Sequence, residues 1–175
     1  EFFCSALAQT SLEAPDAESF LRRAVDFANK QLEGTLGANI IIHPQTLHEL
    51  GPVFEEIIAD LRYGAIGVNA WTGVAFLLAR CHWGAFPGHP PGDIESGSGV
   101  VHNAMMFDRS QRTVVYGPFR PFPRSVVEGE MSLLPRPPWF VTHRNADIVG
   151  RRLTEFVADP GWRHIPGIVS AALMG

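Results

Sequence analysis

Two cysteines, Cys4 and Cys81, are too few for a disulfide framework, so packing alone must hold any fold this chain adopts. No run of 18 uncharged apolar residues occurs, which excludes a helix that spans a bilayer. A basic excess is also missing. With 14 Lys and Arg against 18 Asp and Glu the formal charge is -4, and no global field draws the chain to nucleic acid or to an anionic membrane surface. The first residues lack an initiator Met and lack the basic and apolar regions of a signal peptide, so the expectation is a segment of a longer cytoplasmic protein. Lys30 is the one lysine beside 13 Arg, a balance that suits a GC-rich bacterial genome. Hydrophobic residues are plentiful, at 46% of 175 with 12 Phe and 4 Trp. A chain of this size buries roughly 70% of the surface it exposes when unfolded, enough for a globular domain.

Periodicity places the elements. Phe20, Leu21, Ala24, Phe27, Ala28 and Leu32 recur at helical spacing after Asp16, a capping residue, and before Gly34, which suits a helix end. Residues 38–43 contain three consecutive Ile and read as a strand buried on both faces. A second helix is expected over 52–61, with Val53, Ile57, Ile58 and Leu61 inward and Gly64 stopping it. Residues 65–69 form a second apolar strand. Helix, strand, helix, strand is the order of an α/β layer with mostly parallel strands and crossover helices.

Beyond Asn69 the pattern changes. Gly and Pro accumulate over 83–99, where no period survives, and a long loop is expected. Residues 112–116 have β character but run into Pro118, Pro121 and Pro123, so they are expected to form an edge strand or arm pairing with another chain. A last helix is expected over 145–158, with Ile148, Val149, Leu153, Phe156 and Val157 as its apolar stripe.

The chemistry-bearing residues are sparse. Cys81, His82, His89 and His102 are the densest group of metal-ligand types, but neither C-x-x-C nor H-x-x-x-H occurs, and no metal is expected. Gly97-Ser98-Gly99 completes no phosphate-binding motif and reads as a turn. Cys4 and Cys81 have no evident base beside them and read as small buried hydrophobes, not as nucleophiles. Trp71, Phe76, Trp83 and Phe86 crowd the exit of the second strand, where α/β proteins place binding surfaces; core filling accounts for them equally well.

The order of segments carries a resemblance. Glu1-Phe2-Phe3-Cys4-Ser5-Ala6 is followed by Ala28-Asn29 with Gly34-Thr35-Leu36, then by Tyr63-Gly64-Ala65-Ile66-Gly67-Val68-Asn69, then by His82-Trp83-Gly84-Ala85 with Ser96-Gly97. This succession resembles the C-terminal portion of the aldehyde dehydrogenase superfamily, with its E-x-F-G-P-V, A-N-x-x-x-x-G-L, Y-G-x-V-x-V-N and P-F-G-G-x-x-x-S-G segments. The match covers residues 1 to about 103. It implies part of an aldehyde dehydrogenase-type catalytic domain over 1–107, a β arm at 108–124 that can serve in oligomerisation, and a C-terminal extension with one helix over 125–175.

By the same resemblance, Glu1 and Phe3 are expected to contact the nicotinamide end of NAD or NADP, a carboxylate suiting the ribose hydroxyls and a ring limiting where the nicotinamide sits. Trp83, with Trp71 and Phe76, is expected to line the aldehyde tunnel. Cys4-Ser5 in place of Gly-Pro, and His82 in place of Pro, depart from the family pattern. The family's nucleophilic Cys, base Glu, oxyanion-hole Asn and dinucleotide fold precede the matched region. The expected function is therefore a segment of an NAD(P)-dependent aldehyde dehydrogenase-like oxidoreductase, inactive alone, whose parent takes an aldehyde substrate and forms a homo-oligomer. The alternatives are a repurposed noncatalytic member of that family, or a free-standing binding or interaction module.

Overall fold

The helical spacing around Phe20 is realised as α1 (Ala17–Gln31) in the computed structural model, which describes residues 4–175. Asp16 caps it, its Oδ1 accepting from Ser19 N at 2.7 Å, and this bond holds the Asp16 carboxyl below its ordinary range. Gly34 has a φ of +88°, yet the helix ends earlier, at Leu32 in extended conformation. Leu21 and Val25 form the buried stripe of α1 and pack with Phe54, Ile57 and Ile58.

Two strands pair in parallel, β1 (Gly37–Ile40) with β2 (Ala65–Val68), Gly37 opposite Ala65 and Ile40 opposite Val68. Parallel neighbours need a crossover, and here it consists of two helices, α2 (Pro44–Leu50) and α3 (Pro52–Ala59). Only α3 was legible in the pattern, since Pro44 reads as a stop although proline is accommodated in the first helical turn. Phe54, 1% exposed, is a further inward residue of α3 beyond Ile57 and Ile58, while Val53 is half-buried.

The expectation that residues 38–43 are buried on both faces is corrected. In the sheet order β1-β2-β5, β1 is outermost, alternates between exposed and half-buried positions, and leaves Ile41 exposed; β2 in the centre is buried at every position. A second correction concerns 112–116. β5 (Thr113–Tyr116) lies beside β2 in this chain's own sheet instead of seeking another chain, with Thr113 N donating to Gly64 O at 2.9 Å and Val114 packed against the core. The prolines fall after the strand, so they do not interrupt this pairing.

Gly64 does not stop α3, which closes at Asp60. It permits a close approach: a Cβ there would lie 1.8 Å from the carbonyl oxygen of Gly84. Gly84 belongs to β3 (Trp83–Gly84), which pairs antiparallel with β4 (Val100–His102) across the Gly/Pro segment, and α4 (Gly73–Leu77) precedes them. Residues 85–99 of the expected loop thus connect the two strands of a small sheet.

The chain divides into two compact units, Glu1–Val115 and Tyr116–Gly175. The second holds α5 (Arg124–Val127), α6 (Ala146–Ala158) and α7 (Ile165–Leu173). The expected extension with one helix is corrected to three; Pro166 falls in the first turn of α7, where it is tolerated. Val149 of α6 and Ala171 of α7 are buried, Asn145 Nδ2 donates to Ala171 O at 3.2 Å, and Leu153 and Val157 of the expected stripe are exposed. Among the described residues no helix is long and apolar enough to cross a membrane.

Candidate functional site

The carboxyl ends of β1 and β2 are shaped by side-chain amides. Asn69, at φ +52°, closes the β2 exit: its Nδ2 donates to Ile42 O at 2.8 Å and its Oδ1 accepts from Ile42 N at 2.9 Å. Asn39 Oδ1 accepts from Thr72 N at 3.0 Å. Together these bonds tie the two strand ends to the segment that enters α4, at the edge of a parallel sheet where α/β proteins bind ligands.

Aromatic side chains gather between α4 and β3, whose Gly84 backs onto Gly64 at the amino end of β2. The Phe76 and Trp83 rings meet edge to face, with centroids 5.6 Å apart and planes at 70°, and the His102 imidazole stacks on Phe76 at 5.2 Å. Phe76 of α4 is 46% exposed, so the group is a surface and not core filling. The Trp71 indole lies over Gly73 at the start of α4, where a Cβ would approach the ring to 2.4 Å. Phe86 departs from the group; the Arg112 guanidinium lies 5.0 Å from its ring centroid. Glu1 and Phe3, the expected cofactor contacts, lie outside the described residues.

His82 precedes Trp83 and is 5% exposed, with both ring nitrogens buried and without a hydrogen-bond partner. Burial pushes its pKa down, so the ring is neutral at neutral pH. Cys81 is half-buried in a cleft of about 540 Å3 that Arg80, Arg109 and Asp108 also line. Cys4 is exposed. Among the described residues no group of three or more His, Cys, Asp or Glu could hold a metal.

A second cleft of about 440 Å3 was not anticipated. It is lined by Thr35, Tyr63, His89 and Glu95, with Thr35 Oγ1 2.8 Å from His89 Nε2 and His89 Nδ1 3.8 Å from Glu95 Oε1. Burial and the neighbouring Glu95 carboxylate push the Tyr63 phenol up. Thr35 and His89 are 54 positions apart in sequence, and no local spacing signals their meeting. Arg112 was likewise missed: its Nη1 donates to Ile58 O at 2.9 Å and to Leu61 O at 2.8 Å, closing the carboxyl end of α3.

Comparison of the chain with family models, with curated proteins and with solved structures finds no match.

Proposed function

We propose that this chain is a C-terminal part of an aldehyde dehydrogenase-like oxidoreductase and supplies an aromatic wall of its substrate tunnel. The observation that carries this reading is the contact between Phe76 of α4 and Trp83 of β3, centroids 5.6 Å apart. Two of the three residues that the resemblance assigns to the tunnel adjoin one another on a half-exposed surface, and the Trp71 indole lies on Gly73 at the start of the helix that carries Phe76. The mixed α/β order, with helices crossing between parallel strands, agrees with the expected catalytic-domain layer.

Exposure supports the same reading. Leu77, Val101, Met105 and Phe107, near Phe76 in sequence or on β4 and the segment after it, are each more than half exposed, a concentration that suits a surface covered by further polypeptide. In an intact cytoplasmic parent, NAD or NADP would supply the hydride acceptor for aldehyde oxidation, while this chain would limit which aldehydes reach the site. Homo-oligomer assembly of the parent belongs to the reading as well.

The test compares two polypeptides, this chain and the longer one that includes the coding sequence ahead of Glu1, each assayed for aldehyde-dependent reduction of NAD+ and NADP+. Turnover by the longer polypeptide, with neither turnover nor micromolar nucleotide binding by this chain, is the expected result. Micromolar binding by this chain, or no turnover by the longer one over a broad aldehyde panel, would overturn the enzymatic reading, the latter in favour of a noncatalytic relative.

A further inference from the structure

Thr35 stands two residues ahead of β1 and is held on three sides through its backbone. Its N–H donates to Ser96 Oγ at 2.8 Å, and its carbonyl accepts from Gly64 N at 2.9 Å and from Phe86 N at 3.1 Å. The backbone is thus satisfied, and the hydroxyl is directed to His89, with Oγ1 2.8 Å from Nε2. On the other face of the imidazole, Nδ1 lies 3.8 Å from Glu95 Oε1. Hydroxyl, imidazole and carboxylate follow one another in the order of a nucleophile, a base and the acid that orients the base. All three line the cleft of about 440 Å3, which is the size of a small-molecule site.

We propose that Thr35, His89 and Glu95 form a hydrolytic site for small carboxylic esters, separate from the aromatic surface around Phe76. Thr35 Oγ attacks the ester carbonyl while His89 Nε2 takes the hydroxyl proton. The bond to the alkoxy oxygen then breaks, and His89 returns that proton to the departing alkoxide, releasing an alcohol and leaving an acyl-Thr35. Water attacks the acyl carbon, His89 takes one of its protons, the bond to Thr35 Oγ breaks and the proton restores the hydroxyl, so that ester and water become acid and alcohol. Glu95 stands on the Nδ1 side of the ring, facing the positive charge that forms there during each transfer. Tyr63 lines the same cleft, and its phenol is a hydrogen-bond donor at neutral pH. No thiol, nicotinamide or aldehyde takes part, so this site stands or falls independently of the dehydrogenase reading.

The test uses this chain with Cys4→Ser and Cys81→Ser, so that no thiol can accept the acyl group, and p-nitrophenyl acetate as the probe. Peptide mapping by mass spectrometry should find acetate on Thr35, and p-nitrophenol release should continue beyond one equivalent. His89→Gln should slow release by about 100-fold or more. Thr35→Ser, which keeps a hydroxyl, should retain it, and Glu95→Gln should lower it. Acetate found only on Lys30 or at other surface groups, or release equal in His89→Gln and the parent protein, would overturn the proposal. The mapping requires no change to Thr35 and so remains decisive even where Thr35→Ala fails to fold.

Discussion

The side-chain amide of Asn69 satisfies both backbone polar groups of Ile42, donating to its carbonyl at 2.8 Å and accepting from its N–H at 2.9 Å. β1 ends at Ile40 and β2 at Val68, so one side chain extends the parallel pairing past the point where the strands stop. The turn that allows this needs two unusual features: Asn69 at φ +52°, and Gly67, where a Cβ would lie 2.2 Å from Ala70 O.

Asn69→Ala should therefore lose two bonds and also suffer at positive φ, whereas Asn69→Gly loses only the bonds. We expect about 2–3 kcal/mol of destabilisation for alanine and about 1–2 for glycine, read from urea unfolding midpoints. Equal losses in the two variants would show that the backbone conformation is unimportant.

Asn29 performs the same service for α1. Its Nδ2 donates to Asp60 O and its Oδ1 accepts from Arg62 N, each at 2.8 Å, which fastens the last turns of α1 to the connection between α3 and β2. Asn29→Asp keeps an acceptor for Arg62 N but sets a carboxylate against the Asp60 carbonyl. It should cost at least as much as Asn29→Ala, about 1–2 kcal/mol, and regain part of the difference when acidified through the carboxylate range. Thermal melts at two pH values would measure both effects.

Stability should decline on both sides of neutrality, for separate reasons. His82 is buried with unpartnered nitrogens, and its pKa is depressed in the fold, so the unfolded chain binds the proton first as pH falls. Its contribution is complete above about pH 6.5 and is lost as pH drops from there towards the depressed folded value. Tyr63 is raised in the fold by burial and by Glu95, so its contribution is complete below about pH 10 and is lost as pH rises beyond that. His82→Leu should flatten the melting temperature between about pH 7 and 5.5 and leave the alkaline decline unchanged. A decline on the acid side as steep in His82→Leu as in the parent protein would contradict the assignment.

Local pattern made α1, α3, β2, β5 and α6 legible, because each combines an apolar period or run with a cap or breaker at its ends. Topology was less accessible. Ile40 and Ile41 look like central-strand residues, and only the sheet order reveals that β1 is at the edge. The same gap explains β5, whose β character was plain while its partner, β2, stands some 45 residues earlier. Prolines at the starts of α2 and α7 hid both helices, since proline interrupts a helix interior but fits its first turn.

The candidate sites divide along the same line. Phe76 and Trp83 could be named from their crowding in sequence, and the fold brings them together. The Trp71 indole lies against Gly73, a close approach that needs glycine there and that spacing alone does not encode. Thr35, His89 and Glu95 come from the entry to β1 and from the Gly/Pro segment, and the bonds that join them are long-range in sequence except for the pair within the segment itself.

The most direct measurement of the central claim is the aldehyde selectivity of the longer polypeptide with and without Trp83→Ala. If Trp83 lines the tunnel with Phe76, truncation enlarges the passage without touching the reacting groups. The ratio of kcat/KM for a bulky aldehyde to that for a short one should then change by about tenfold or more. Equal loss of kcat/KM for every aldehyde, accompanied by a lower melting temperature, would mean that Trp83 only packs against Phe76 and would contradict the account.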